Sequence, residues 1–209
     1  MSEAALTVSH LSTRRGGRTI LDDVSFAARR NEILGVIGPN GAGKTTLFEC
    51  IAGVLPRTSG RVEGDALYYV PDGIRPWPDQ TVRWTLELTA RIFDRQLVDD
   101  LGLMPLLDQR VHSLSKGEAK RLGITLGLLV PRPVLLLDEP FDGLDFRQTR
   151  RAIDVLRATG RTLILSIHQL SDAVRVCDRF LLLDAGRVLG EGTLAELGGD
   201  LEEVFLARE

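Results

Sequence analysis

The chain has 209 residues, 44% of them apolar and 26% charged, with a net charge of −3. These are the proportions of one globular domain, or of a core with a small subdomain, long enough to bury roughly 70% of its unfolded surface; they exclude wholesale disorder. No apolar run approaches the ~18–20 residues needed to cross a bilayer, and a mildly acidic chain lacks the phosphate-neutralising excess of a dedicated nucleic-acid binder. Glu3 and the absence of a basic start before an apolar stretch argue against a secretory signal. Cys50 and Cys177 stand too far apart for a ligand pair and read as two buried, reduced thiols. Of the 26 basic residues only Lys44, Lys116 and Lys120 are lysines, so where Arg is the default cation a Lys marks a position to test for resistance to that exchange.

In chain order, Leu6, Val8 and His10 alternate with polar residues, and Thr19–Ala28 is rich in apolar and β-branched types after Gly16-Gly17. Both read as antiparallel strands of a half-exposed sheet. Glu32–Gly38 is a nearly continuous apolar run, the kind buried on both faces of a parallel sheet. A helix is expected over Lys44–Ala52, ended by Gly53 and Pro56, then two short strands within Arg61–Val70. Pro71–Asp79 breaks the pattern with three prolines, and helices are expected to dominate from Val82 to Val130. On the last of these, Ala119, Leu122, Leu126 and Leu129 form one apolar stripe. Strands at Val134–Asp138 and Thr162–Ile167 flank a helix over Gln148–Thr159. Arg179–Asp184 and Arg187–Glu191 form a hairpin about Ala185-Gly186, and a short helix, Leu201–Leu206, follows. Strands alternating with helices imply a parallel sheet with right-handed crossovers.

Gly38-Pro39-Asn40-Gly41-Ala42-Gly43-Lys44-Thr45 fits the phosphate-loop pattern G-x-x-x-x-G-K-[ST]. A triphosphate needs several N–H groups converging on its oxygens, and glycines let the chain wrap closely enough. The following helix adds its N-terminal dipole, Lys44 a compact ammonium for the β- and γ-phosphates, and Thr45 a hydroxyl for Mg²⁺, with Thr46 beside it. The expected fold is therefore α/β: a P-loop NTPase core with a mostly parallel sheet, an N-terminal antiparallel β subdomain and a small inserted α-helical subdomain at about 80–130. Further along, Val134–Leu137 is an apolar strand ending in Asp138 and Glu139. Such a strand carries Asp138 to the sheet edge where α/β proteins bind ligands, there to hold the Mg²⁺ shell. Glu139 is placed to polarise an attacking water as general base. Acids after a strand are also ordinary turn material; the upstream phosphate loop gives these two their meaning.

Gly38–Thr45, Leu114-Ser115-Lys116-Gly117-Glu118, Leu137-Asp138-Glu139-Pro140, Gly143-Leu144-Asp145 and His168 occur in the order and spacing of an ABC-type ATPase domain. The chain resembles that family from about Leu6 to about Leu194, so that residues 1–209 read as one such domain. The resemblance implies that two domains, identical or not, meet head to tail, each ATP lying between one phosphate loop and the partner's signature sequence, here Leu114–Glu118. Ser115 and the Gly117 N–H would face the γ-phosphate across that seam. Ser115-x-x-Glu118 is also a capping box, which needs no ligand; the readings coexist, because a capped helix start is itself an anion site. Asp145 would lie in the loop that crosses to the partner, and His168 would touch the γ-phosphate and Glu139.

Lys116 stands where a Gly and Glu118 where a Gln is common in the family, and two further residues depart from its pattern. Where an aromatic ring usually stacks on adenine, this chain has Arg15, which either stacks through its guanidinium plane or is a solvated charge. Where a glutamine usually follows the strand before the helical lobe, it has Asp72, expected near the γ-phosphate, where it would favour Mg²⁺ and repel metal-free nucleotide. The resemblance implies an ATP- and Mg²⁺-dependent ATPase that powers a membrane transporter, an exporter before an importer. It would be held on the inner face of the membrane by a separate permease docked around Asp72–Trp84, with no nucleic-acid partner. The alternatives are a soluble ATP-driven switch and a low-turnover regulatory subunit.

Overall fold

The computed structural model describes residues 3–206. A six-stranded sheet in the order β5-β6-β7-β3-β8-β9 forms the centre: β5 (Leu67–Val70), β6 (Val134–Asp138), β7 (Thr162–Ile167), β3 (Ile33–Ile37), β8 (Arg179–Asp184) and β9 (Arg187–Gly192). The first five run parallel and β9 pairs antiparallel to β8. Every residue of β3, β6 and β7 is buried, which is why these strands read as unbroken apolar runs. The two-residue period still sorts their side chains. Leu34, Val36, Leu136, Ile164 and Leu181 face one layer, and Ile33, Ile37, Leu135, Leu137, Leu163 and Leu165 face the other.

The first layer is closed by a three-stranded antiparallel sheet, β2-β1-β4, formed by β1 (Ala4–Arg15), β2 (Arg18–Arg29) and β4 (Ser59–Gly64), together with α1 (Lys44–Ile51). Leu6, Val8, Leu11, Val24, Phe26 and Phe48 fill it. The second layer is closed by α4 (Phe146–Ala158) and α5 (Leu170–Val176). On α4 the buried residues Thr149, Ala152, Ile153 and Leu156 follow the i, i+3, i+4, i+7 spacing. Cys50 and Cys177 are buried free thiols, and burial raises the pKa of both.

A third apolar cluster belongs to the helical lobe, where Val82, Leu86 and Ala90 of α2 (Val82–Ile92) meet Leu122, Leu126 and Leu129 of α3 (Lys116–Leu129). The expected stripe on α3 is present, with Ala119 packed at its margin. Gly123 and Gly127 lie on the other face, where added Cβ atoms would come within 3.3 and 3.0 Å of Val70, so small residues let α3 approach the sheet edge.

The structure departs from the expected pattern in two places. Residues 93–115 are not helical apart from two 3-10 turns, Met104–Leu106 and Val111–Ser113: Asp94 turns left-handed after α2, Gly102 does so again, and the Asp99 carboxylate takes the Leu103 and Met104 N–H groups. Helix α5 is an addition to the expected elements, starting two residues past His168. Two short strands do lie within 61–70, β4 in the antiparallel sheet and β5 in the central one, and Gly64 at φ +146 packs against the Ala5 carbonyl. A last helix, α6 (Leu201–Leu206), lies where expected.

At the start of β8, Arg179 and Glu32, both under 10% exposed, form an ion pair at 3.0 Å, and Arg179 also binds Glu191. Removing the cation strands a buried carboxylate. Arg179→Met is expected to lower the unfolding free energy by about 3–5 kcal/mol, read as a shift of the urea midpoint at unchanged slope; a negligible shift contradicts the assignment.

Candidate functional site

Three adjacent strands, β6, β7 and β3, release their chains at one edge of the sheet. Asp138 ends β6 opposite Ser166 of β7, and Ile37 of β3 stands opposite Ile167, one residue before His168. The phosphate loop, the two acids and the histidine thus converge because their strands are neighbours, although 130 residues separate the first motif from the last.

The loop leaves β3 at Gly38, where a Cβ would stand 2.0 Å from the Leu183 carbonyl oxygen; main chain cannot yield, so only glycine fits. Gly41 (φ +86) and Gly43 (φ +103) carry the loop through left-handed conformations into α1. That helix has no side-chain cap and no acid in its first turn, which leaves its initial N–H groups for an anion. They open on a cavity of about 370 Å³ lined by Ile20, Asn40, Gly41, Gly43, Lys44, Thr45, Thr46 and Glu139. Lys44 is 5% exposed and its Nζ donates to the carbonyls of Gly38 (2.7 Å) and Pro39 (3.0 Å). Burial lowers its pKa, against the attraction of Glu139 and Asp138. Ala42 is buried, and its carbonyl accepts from the Gly186 N–H at 3.0 Å, anchoring the loop to the β8–β9 turn.

Asp138 is 2% exposed. Its carboxylate accepts from two hydroxyls, Ser166 Oγ and, at 3.4 Å, Tyr69 Oη; burial first, then the Asp138 charge, raises the Tyr69 pKa and keeps it a donor. Ser166 Oγ in turn accepts the Glu139 N–H at 2.8 Å, so one buried hydroxyl fixes both acids. Glu139 has φ +48, a conformation uncommon for a residue with a Cβ. Its side chain lines the phosphate cavity and also a small adjoining cleft shared with His168 and Asp142. A hydroxyl from Thr45 and one carboxylate from Asp138 are hard oxygen donors, and among the described residues no three His, Cys, Asp or Glu gather as a complete metal cage. That donor set fits Mg²⁺, which keeps waters and phosphate oxygens in its shell.

Asp72 Oδ1 lies 2.6 Å from Lys120 Nζ, so its carboxylate is paired with a cation. Lys120, on α3, was absent from the residues singled out as chemical, as were Ser166 and Tyr69. The one available sign was that Lys120 is a lysine in an arginine-rich chain.

Ser115, Gly117 and Asp145 lie outside the phosphate cavity. Ser115 caps α3 in a full capping box with Glu118, and Asp145 caps α4 in another with Gln148. The two helix starts are joined: Gly117 packs so closely on Gly143 that a Cβ would meet its carbonyl oxygen at 2.4 Å, and Lys116 binds Asp142, whose pKa it lowers. Arg15 ends β1 at the exposed tip of the first hairpin, opposite Arg18.

The family model for the ABC transporter matches residues 21–142. The Escherichia coli (strain K12) lipopolysaccharide export system ATP-binding protein LptB is 29% identical over 237 aligned positions, covering 99% of this chain and 98% of that one. The Nod factor export ATP-binding protein I of Paraburkholderia xenovorans (strain LB400) is 31% identical, covering 98% and 78%. A solved ATP-binding subunit of an ABC transporter superposes with a TM-score of 0.87 at 28% identity, covering 97% of this chain and 98% of that one.

Ser166→Ala removes the donor to Asp138 and the acceptor of the Glu139 N–H together. It is expected to cost about 1–3 kcal/mol for each buried group left unpaired, measured by thermal and urea unfolding. Wild-type stability would contradict the role given to this hydroxyl.

Proposed function

The chain belongs to the ABC transporter family as an ATP-binding subunit with ATPase activity, and from that membership we propose which of its residues carry the hydrolysis and what the hydrolysis drives. The observation that carries the reading is the single cavity in which an uncapped helix start, a buried lysine and Glu139 face one another. ATP is held by the N–H groups of the Gly38–Thr46 loop, with the Lys44 ammonium on the β- and γ-phosphate oxygens. Thr45 and Asp138 would hold Mg²⁺, which supplies charge neutralisation on those oxygens when bound. Glu139 accepts a proton from water as its oxygen bonds to the γ-phosphorus; the bond to the β–γ bridging oxygen breaks, and ADP and phosphate leave. His168, in the cleft beside Glu139, contacts the γ-phosphate. Arg15, exposed at its hairpin tip, lies over the adenine through its guanidinium plane.

One chain supplies half of each ATP site. Ser115 and Asp145 are exposed caps away from the chain's own cavity, with Gly117 buried against Gly143 beside them, as suits groups that act on the nucleotide of a second ABC ATPase subunit. The 209 residues act as one ATPase domain carrying a helical subdomain over about 80–130. Among the described residues no helix is long and apolar enough to cross a membrane, which fits a separate permease as the transported molecule's path. Its docking site is an apolar cavity of about 270 Å³ between the segment after β5 and α2, lined by Pro71, Ile74, Trp77, Ile92 and Phe93 among others. Trp77, which lines it, meets Trp84 edge to face at 5.6 Å, the two being 45% and 40% exposed, as interface aromatics are. The likeness to the lipopolysaccharide and Nod factor export proteins favours an exporter, with this subunit on the cytoplasmic face.

Glu139→Gln is expected to keep ATP affinity within about threefold, to lose turnover by about 10²-fold or more, and to accumulate as a nucleotide-bound dimer in analytical ultracentrifugation. A variant that stays monomeric with ATP bound contradicts the shared site. For Lys44→Ala the expected result is a rise in the ATP Kd of at least about tenfold, the equivalent of one lost charge-assisted contact, in a direct titration.

A further inference from the structure

Lys120 lies on α3, five residues past Ser115, and is 9% exposed. An ammonium has three protons, and here three acceptors surround it: the carbonyl oxygens of Asp138 (3.1 Å) and Glu139 (2.6 Å) and the Asp72 carboxylate (2.6 Å). Two of these belong to the turn that carries the general base. The Glu139 peptide units are therefore gripped on both sides, the N–H by Ser166 Oγ and the C=O by Lys120 Nζ.

This grip matters because Glu139 sits at φ +48. A residue with a Cβ holds such a conformation only where its surroundings enforce it. Relaxation to a negative φ would reorient the Cα–Cβ bond and take the carboxylate out of the phosphate cavity. A buried ammonium needs a counter-charge, and Asp72 supplies it. Asp72 belongs to the segment between β5 and α2, whose Arg75 donates from Nη1 to the carbonyls of Val111 (3.0 Å), His112 (3.2 Å) and Leu114 (2.7 Å), just before Ser115. The same short segment thus holds the start of the signature helix through Arg75 and the main chain of Glu139 through Asp72 and Lys120.

We infer that Lys120 is a positioning residue for the hydrolysis: it fixes the main chain of Glu139 so that the carboxylate faces the γ-phosphate, and Asp72 ties that grip to the segment that lines the permease cavity. The inference rests on Glu139 being the general base. Coupling from that segment to the chemistry then runs through an ion pair to the base's own backbone, rather than through a side chain in the metal's shell.

The test is steady-state ATP hydrolysis and direct ATP binding, with turnover expressed per bound ATP, for Lys120→Met, Asp72→Asn, the double variant and Glu139→Gln. Misplacement of a reacting group by about 1 Å costs up to about 10²-fold. Lys120→Met is therefore expected to lower kcat per site by about 10–100-fold with the ATP Kd within about threefold. Asp72→Asn should lower kcat less, and the double variant should fall no further than Lys120→Met, because Asp72 acts through Lys120. A merely structural lysine would reduce the fraction of chains that bind ATP and leave kcat per site unchanged, which overturns the inference, as does additive loss in the double variant. If Lys120→Met does not fold, Asp72→Asn at its 40% exposed position decides alone: reduced kcat per site supports the inference and unchanged kcat overturns it. Hydrolysis by Glu139→Gln at the wild-type rate removes the base assignment itself; an inactive Glu139→Gln beside a fully active Lys120→Met removes only the positioning role.

Discussion

The pairing of Asp138 with Ser166, where β6 and β7 end together, holds the rest of the site in place. An almost fully buried carboxylate survives there because a hydroxyl from the neighbouring strand donates to it, and that hydroxyl is satisfied in turn by the Glu139 N–H. Shifting the register of β6 against β7 by one residue would turn Asp138 to the opposite face of the sheet and separate the three groups. Both faces of β6 are apolar, so packing alone does not oppose that shift; the cost of burying the Asp138 carboxylate away from its hydroxyl donors does.

Around this clasp the charges are few and desolvated. Lys44 faces Asp138 and Glu139 with its pKa lowered by burial, and its ammonium rests on the Gly38 and Pro39 carbonyls. Lys120, on the far side of the same two acids, binds their carbonyls and Asp72. Two lysines thus bracket the turn at Glu139, one toward the phosphate cavity and one toward the helical lobe. Each is a compact point charge where a planar guanidinium would demand a wider set of acceptors. In a chain whose other basic residues are arginine apart from Lys116, that difference in shape accounts for their presence.

The helical lobe has its own apolar cluster and touches the sheet edge through glycines at 123 and 127, while polar contacts from Asp72, Arg75 and Lys120 join it to the acids. Dispersion contacts across small residues tolerate sliding more readily than a jigsaw of large side chains, whereas the ion pair is directional. The lobe is accordingly attached to the core by close packing at two glycines and by directional polar contacts at Asp72, Arg75 and Lys120.

The motifs that bear the chemistry were readable from residue order, because a phosphate loop and an acid-terminated apolar strand need particular residue types at fixed local spacing. The parallel core was readable too, since strands buried on both faces leave continuous apolar runs. Where local rules compete, order alone was insufficient. Residues 93–115 have helical composition, but the Asp99 carboxylate and left-handed turns at Asp94 and Gly102 oppose a continuous helix. That Arg61–Val70 divides between two sheets is visible only once β4 and β5 are paired. Ser166, Lys120 and the pairing of Asp72 belong to no local pattern: each acts on a residue between 18 and 48 positions away in sequence, and its role exists only once the strands and α3 are packed. Local spacing determined which groups the proposed site draws on, and tertiary packing decided which charges neutralise one another, because burial and distance, not sequence order, set electrostatic interaction.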